Sequence, residues 1–308
     1  MFVEQAIFTS VRTGRNEGYQ IASASPGITL AEKRELSQWG PGHDALYDPR
    51  SLADSVNSHR LDSGRYCISR TLYAGREYSG RGGYRVYTHF FLVPESLLQR
   101  FCFHPLRVME AAIVAGRAGV LTPIPDQLGP APLVGRAQAT NVAQVERLCQ
   151  TLGPEKLATL VCAALKTETL GVHASVPAQR LFSGLLDLLP TSHRTAFSFT
   201  TGLRVSPRRC YRLAALPDNV EEQRQAVRLM HLAVLDLDAA PPPRFAARSG
   251  WPLLVYELMR TQRFETLALV IQETATVNET DIDLLAEQAR ARIDRESPMP
   301  DLITPFSA

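Results

Sequence analysis

The sequence predicts an α+β fold: a strand-rich N-terminal domain, a middle domain with a small helix-covered sheet, and a helical C-terminal segment. Three observations carry that reading. Alternating runs rich in Tyr, Phe, Val and Thr fill the first 120 residues, and apolar residues recur at three- and four-residue spacing from Val142 onward. Two proline-rich stretches, 121–139 and 239–248, separate the segments, because clustered proline opposes both helix and sheet continuation. The domains expected are therefore 1–120, 140–238 and 249–296.

In the first segment the strands are expected at Phe2 to Ser10, Tyr66 to Tyr73 and Tyr84 to Val93. The unbroken apolar run Phe90-Phe91-Leu92-Val93 marks a strand buried on both faces. Helices are expected at Ala31 to Gln38 and Pro94 to Cys102, where Pro94 suits a first turn. In the second, Val142, Val145, Leu148, Cys149 and Leu152 form one helical stripe, which resumes after Gly153-Pro154 through Leu165. A strand at Leu170 to Val176, a helix at Ala178 to Leu189, strands at Thr195 to Thr200 and Arg209 to Leu216, and a helix at Val220 to Leu235 follow. Helices at Trp251 to Arg260, Phe264 to Glu273 and Asp281 to Ile293 complete the chain, ahead of a loose tail from Ser297.

With 45% hydrophobic residues, the 308-residue chain has ample material for a core. Its 33 basic and 31 acidic side chains are too balanced to attract nucleic acid or an anionic membrane through bulk charge. Lysines occur only at 33, 156 and 166, so the positive charge is nearly all guanidinium, suited to bidentate carboxylate or phosphate contacts. Five scattered cysteines make a poor disulfide framework and are read as reduced, mostly buried thiols. No leader-like start and no apolar run of roughly 18 residues is present, so the protein is expected in the cytoplasm and off the membrane.

None of the lysines follows a glycine, which excludes the phosphate-binding loop of a nucleotide hydrolase. The seven histidines and five cysteines lack zinc-site spacing, and no Gly-x-Ser-x-Gly elbow occurs; no catalytic residue, metal or cofactor is assigned. The most loaded stretch runs from Arg60 to Arg85. Arg60, Arg65, Arg70, Arg76, Arg81 and Arg85, interleaved with Tyr66, other tyrosines and glycines, offer guanidinium forks and stacking faces to a partner or an anion. The structural alternative is a solvated two-stranded ribbon with a glycine-rich turn. In the cluster Leu188 to Gly202, Phe197 and Phe199 point to one face of a strand, with Ser198 and Thr200 on the other; Thr200-Thr201-Gly202 at its end could contact a ligand.

Two blocks resemble the type-2 N-terminal domain of bacterial GTPase-associated proteins: Gln5-Ala6-Ile7-Phe8-Thr9-Ser10 through Gly18 to Ile28, and Tyr66 to Tyr84 continuing into Tyr87-Thr88-His89-Phe90-Phe91-Leu92-Val93. The Leu-Leu-Pro and Arg-x-x-Phe-Ser-Phe-x-Thr pattern within Leu188 to Gly202 resembles that family's middle domain. The resemblance implies a non-enzymatic adaptor or regulator that pairs with a separately encoded GTPase, and with other components, in a bacterial conflict or signalling system. It supplies no catalytic residues, and the chain is short beside longer members. Two further readings stay open: a hydrolase or transferase assembled from Ser10, Ser25, His89 and Arg65 or Arg70, and a nucleotide or single-stranded nucleic-acid module centred on Arg60 to Arg85.

Overall fold

The computed structural model describes residues 1–13, 16–47, 54–76, 84–275 and 281–296. The chain forms strands β1 (Phe2–Thr13) and β2 (Asn16–Ala24), helix α1 (Leu30–Trp39), strands β3 (Ser55–Arg60), β4 (Tyr66–Arg76) and β5 (Tyr84–Val93), and helices α2 (Glu95–Arg100) and α3 (Pro105–Val114). A short strand β6 (Ala131–Pro132) precedes helices α4 (Val142–Leu152) and α5 (Pro154–Lys166). Next come β7 (Leu170–His173), α6 (Ala178–Asp187), a 3-10 turn (Thr191–Ala196), β8 (Phe199–Thr200), β9 (Leu213–Ala215), α7 (Val220–Met230) and β10 (Ala233–Asp236). Helices α8 (Gly250–Arg260), α9 (Phe264–Thr274) and α10 (Ile282–Glu296) close the fold. The α+β class is as expected.

One mixed sheet runs β10-β7-β9-β8-β3-β4-β5-β1-β2, with β6 beside β1. Strands β10, β7, β9 and β8 are mutually parallel; from β3 to β2 every pairing is antiparallel. The two halves meet where Asn57 and Ser58 of β3 pair with Thr200 and Phe199 of β8. A buried polar network fastens that seam. Asn57 Oδ1 accepts from the Ser55 and Thr200 hydroxyls at 2.7 and 2.6 Å, Asn57 Nδ2 donates to Ser69 Oγ at 3.2 Å, and the Val56 amide donates to Thr201 Oγ1 at 2.9 Å. Buried polar atoms are tolerated here because each finds a partner.

Both faces of the antiparallel half are covered. Phe8, Leu36 of α1, Cys67, Phe90 and Leu92 share one apolar cluster, while Val56, Ile68, Phe91 and Val93 join the main core with Leu97, Leu106 and Met109 of α2 and α3. That double burial explains the unbroken apolar run of β5. The same main core continues through α4, α5 and α6 to Trp251, Leu258 and Ile271, so the C-terminal helices pack on the middle segment. The Trp251 indole donates to the Leu188 carbonyl at 2.8 Å.

Several local expectations change. The strand expected at Thr195 to Thr200 is a 3-10 turn that leaves only Phe199–Thr200 extended, because Arg194 turns inward and bonds the carbonyl of Leu189. The helix expected through Leu235 stops at Met230: His231 takes a left-handed φ of 52°, and Ala233–Asp236 pairs as β10 with β7. Strands β2 and β3 and helix α3 answer to no expectation. Of the cysteines, Cys67 is buried, Cys102, Cys149 and Cys162 are half-buried and Cys210 is exposed. Among the described residues, no helix is long and apolar enough to cross a membrane.

Candidate functional site

The Arg/Tyr stretch becomes the end of β3, its turn, and the β4–β5 pair, with Arg60 opposite Tyr66 and Arg76 opposite Tyr84. Arg81 and the glycine-rich turn lie outside the described residues. The guanidinium groups diverge. Arg65 Nε donates to Glu32 Oε1 at 2.7 Å and its Nη2 to Glu32 Oε2, on the α1 side of the sheet. Arg70 pairs with Asp54 and donates to the Ala118 carbonyl at 3.1 Å, beyond the end of α3. Arg85 donates twice to the Ala74 carbonyl, at 3.1 and 2.9 Å. Tyr66 is buried beneath Arg60, whose Cζ lies 5.7 Å from the ring centroid. Arg60 and Arg76 remain exposed.

Glu32 shows why Arg65 folds inward. As the third residue of α1 it closes a capping box with Thr29, and Ser63 Oγ donates to it at 2.7 Å. Burial opposes its charge, but Arg65 and these donors outweigh burial and hold the carboxyl down at about 2. Arg65→Ala is therefore expected to destabilise the protein by about 2 kcal/mol in urea denaturation, below the usual cost of breaking a buried pair because Thr29 and Ser63 still bond the carboxylate. An unchanged unfolding midpoint would contradict this placement.

The residues of the hydrolase or transferase reading are dispersed. His89 lies opposite Ile7, whereas Ser10 is three positions along β1 and so points to the other face of the sheet. His89 Nε2 lies 2.8 Å from Gln5 Oε1, and its ring stacks on Phe91 at 4.4 Å. Ser25 Oγ is engaged by the backbone carbonyls of Gln5 and Gly129 at 3.1 and 3.2 Å. Neither serine is placed as a nucleophile beside the imidazole. Burial depresses the His89 pKa to about 4.

Two adjoining concavities lie instead along the seam. A cleft of about 740 Å³ between α3, α4 and α6 adjoins one of about 530 Å³ at the carboxyl ends of the parallel strands; Asp54, Pro177, Ala178 and Thr201 line both. Carboxyl ends of parallel strands are the usual ligand side of such sheets. Thr201 and Gly202, singled out in the sequence as a strand end, line the second cleft. At its rim His173 bridges Asp236 and Asp218 through Nδ1 and Nε2, at 2.9 and 3.2 Å. Burial there is outweighed by these carboxylates, which raise the imidazole pKa. Among the described residues, no group of His, Cys, Asp and Glu has the arrangement of a metal site.

Two further features escaped the sequence reading. Behind α1, His59 is buried, stacked on Trp39 at 3.8 Å, and neither ring nitrogen has a hydrogen-bond partner; burial lowers its pKa to about 3. Beside the C-terminal end of α3, Val114 and Val134 are 89% and 72% exposed over a groove of about 600 Å³ that also includes Phe101 and Ala115. Valines that open to water at the mouth of a concave surface are unlike scattered exposed apolar residues. Val114 ends α3, whose sequence signals are His104-Pro105, a cap followed by a first-turn proline, and Leu106, Met109 and Ala112 at three-residue spacing; Val134 lies just after β6.

Residues 2–128 match the family model described as GTPase-associated protein 1, N-terminal domain type 2. The matched stretch runs from β1 past α3, and over it the resemblance to GTPase-associated proteins holds. No curated protein matches the chain.

Proposed function

We propose, from the match of residues 2–128, that this chain is an adaptor or regulatory component that binds a separately encoded GTPase. That match is the observation that carries the reading. The family description names association with a GTPase, and the bacterial conflict or signalling setting follows from the resemblance of the Gln5–Ile28 and Tyr66–Val93 blocks.

The docking surface we assign is the groove at the end of α3. Val114 belongs to the matched residues and Val134 follows them closely, and both are solvent-exposed at its mouth. Arg107, Glu110 and Arg136 supply a polar rim, the usual companion of an apolar interface centre. The Arg60–Arg85 ribbon offers less to a partner, since Arg65, Arg70 and Arg85 already bond within the chain, and the exposed Arg60 and Arg76 lie by opposite ends of β4.

The test is affinity capture of the tagged chain from its native host, with GDP or a non-hydrolysable GTP analogue, read by mass spectrometry. A GTPase should be recovered in a nucleotide-dependent manner, and Val114→Asp with Val134→Asp should reduce its recovery about tenfold, as loss of about 1.4 kcal/mol of binding would. Capture of no GTPase in any nucleotide state would overturn the adaptor reading. Undiminished capture by the double variant would move the docking surface elsewhere.

A further inference from the structure

We infer that the cleft of about 740 Å³ between α3, α4 and α6 binds a small phosphorylated molecule. Its volume is in the range of small-molecule sites, roughly 300–1,000 Å³. The inference does not rest on the GTPase reading.

The first observation is the start of α6. Pro177 precedes the helix and has no side chain to cap it, and the first intrahelical bond is donated by Leu181 to the Pro177 carbonyl at 3.0 Å. The amides of Ala178, Gln179 and Arg180 come before that bond, and all three residues line the cleft. Uncapped amides and the positive end of the helix dipole favour a bound anion.

The second observation is independent. Ser183, one turn further along the same face of α6, is 3% exposed, lines the cleft, and its hydroxyl has no hydrogen-bond partner. An unsatisfied buried hydroxyl costs about 1–3 kcal/mol, which a ligand oxygen would recover.

Charge gives the sign of the ligand. Both carboxylates in the wall are already paired: Asp54 with Arg70, and with Gln179 Nε2 at 2.5 Å, and Glu110 with Arg107 at 2.9 Å. Arg147 of α4 and Arg180 of α6 also line the cleft, are exposed, and form no ion pair among the described residues. Two guanidinium forks beside a row of amides match the several acceptor oxygens of a phosphoryl group better than the two of a carboxylate.

The experiment is isothermal titration of the purified full chain with inorganic pyrophosphate and, separately, with ADP, against sodium chloride at matched ionic strength. Saturable binding of either phosphate compound is expected, and Arg147→Ala with Arg180→Ala should weaken it at least tenfold while leaving the melting temperature of the free chain unchanged. Ser183→Ala should weaken binding about threefold without destabilising the free chain. ADP binding tenfold or more tighter than pyrophosphate would support a nucleotide as the source of the phosphoryl group; equal binding would support recognition of the phosphoryl groups alone. No saturable heat with either compound, or unchanged affinity in the double arginine variant, would overturn the inference.

Discussion

Replacing Arg194 with alanine is expected to destabilise the protein by about 5 kcal/mol or more, enough to abolish a cooperative fold of ordinary stability. Its side chain is fully buried. Nε and Nη2 donate to the Leu189 carbonyl at 3.2 and 3.0 Å, Nη1 to Cys102 at 3.1 Å, and Nη2 to Ala139 at 2.5 Å. One planar cation therefore satisfies carbonyls from the end of α2, the approach to α4 and the end of α6. Burial presses the guanidinium pKa down to about 10, with the nearby Asp187 carboxylate opposing, so the group stays charged near neutrality. Truncation would strand those carbonyls, leave Asp187 with Arg107 as its remaining guanidinium partner, and open a cavity. Arg194→Lys should lose nearly as much, since a point ammonium cannot reproduce the fork. Urea unfolding followed by far-ultraviolet circular dichroism measures both; a midpoint within error of the parent for Arg194→Ala would show that these contacts do not hold the segments together.

Arg194 also marks what was legible in the sequence. The Leu188–Gly202 pattern stood out, and Phe197 and Phe199 do face one core. The burial of Arg194 is not legible there, because its neighbours Thr191, Ser192, His193 and Thr195 are polar and its acceptors are backbone carbonyls, which carry no residue identity. The long amphipathic helices were readable from periodicity alone, and so was β5, whose apolar run reports burial on both faces. Strand β3, Ser-Val-Asn-Ser-His-Arg, was not: apart from Val56 its buried side chains are polar, and Asn57 at its centre is made tolerable by Ser69 and Thr200, partners distant in the chain. Strand β10 was absorbed into a helix because four residues whose pairing is with a distant strand leave no local period.

The candidate sites divide the same way. A dense run of arginines is conspicuous in sequence, but charge density does not tell whether each guanidinium faces water or an internal acceptor; Glu32, Asp54, Ala74 and Ala118 decide that, and none is adjacent to its arginine. The clefts at the seam could not be read because their walls come from α3, α4, α6 and the start of β3, brought together by the β3–β8 pairing.

Stability should fall steeply as pH drops below about 6.5, the ordinary pKa of histidine. Burial depresses His59 to about 3, His89 to about 4 and His104 well below its ordinary value. For His104 the hydrogen bonds require the neutral ring: Nε2 donates to the Ser183 carbonyl at 3.2 Å while Nδ1 accepts from the Arg107 amide at 3.4 Å. A folded pKa below the unfolded one means stability present above pH 6.5 and lost on acidification, at about 1.4 kcal/mol per proton per pH unit. Asp187 acts in the opposite sense. Burial raises it to about 6 against the pull of Arg107 and Arg194, so it restores stability as pH falls from there towards the ordinary carboxyl range. Three histidines less one carboxyl leave a net uptake of about two protons on unfolding, a slope of about 3 kcal/mol per unit between pH 6 and pH 5, and Glu32, held at about 2 in the fold, steepens it further towards pH 4. His59→Phe isolates one contribution, since a phenyl ring keeps the stack on Trp39 and removes two buried nitrogens without partners. The variant should be about 1–2 kcal/mol more stable at pH 7 and should take up about one proton fewer on acid unfolding, as read from urea midpoints across pH 7.5 to 4.5. An identical pH slope in parent and variant would mean that His59 titrates as an exposed histidine does, and that α1 does not seal it from water.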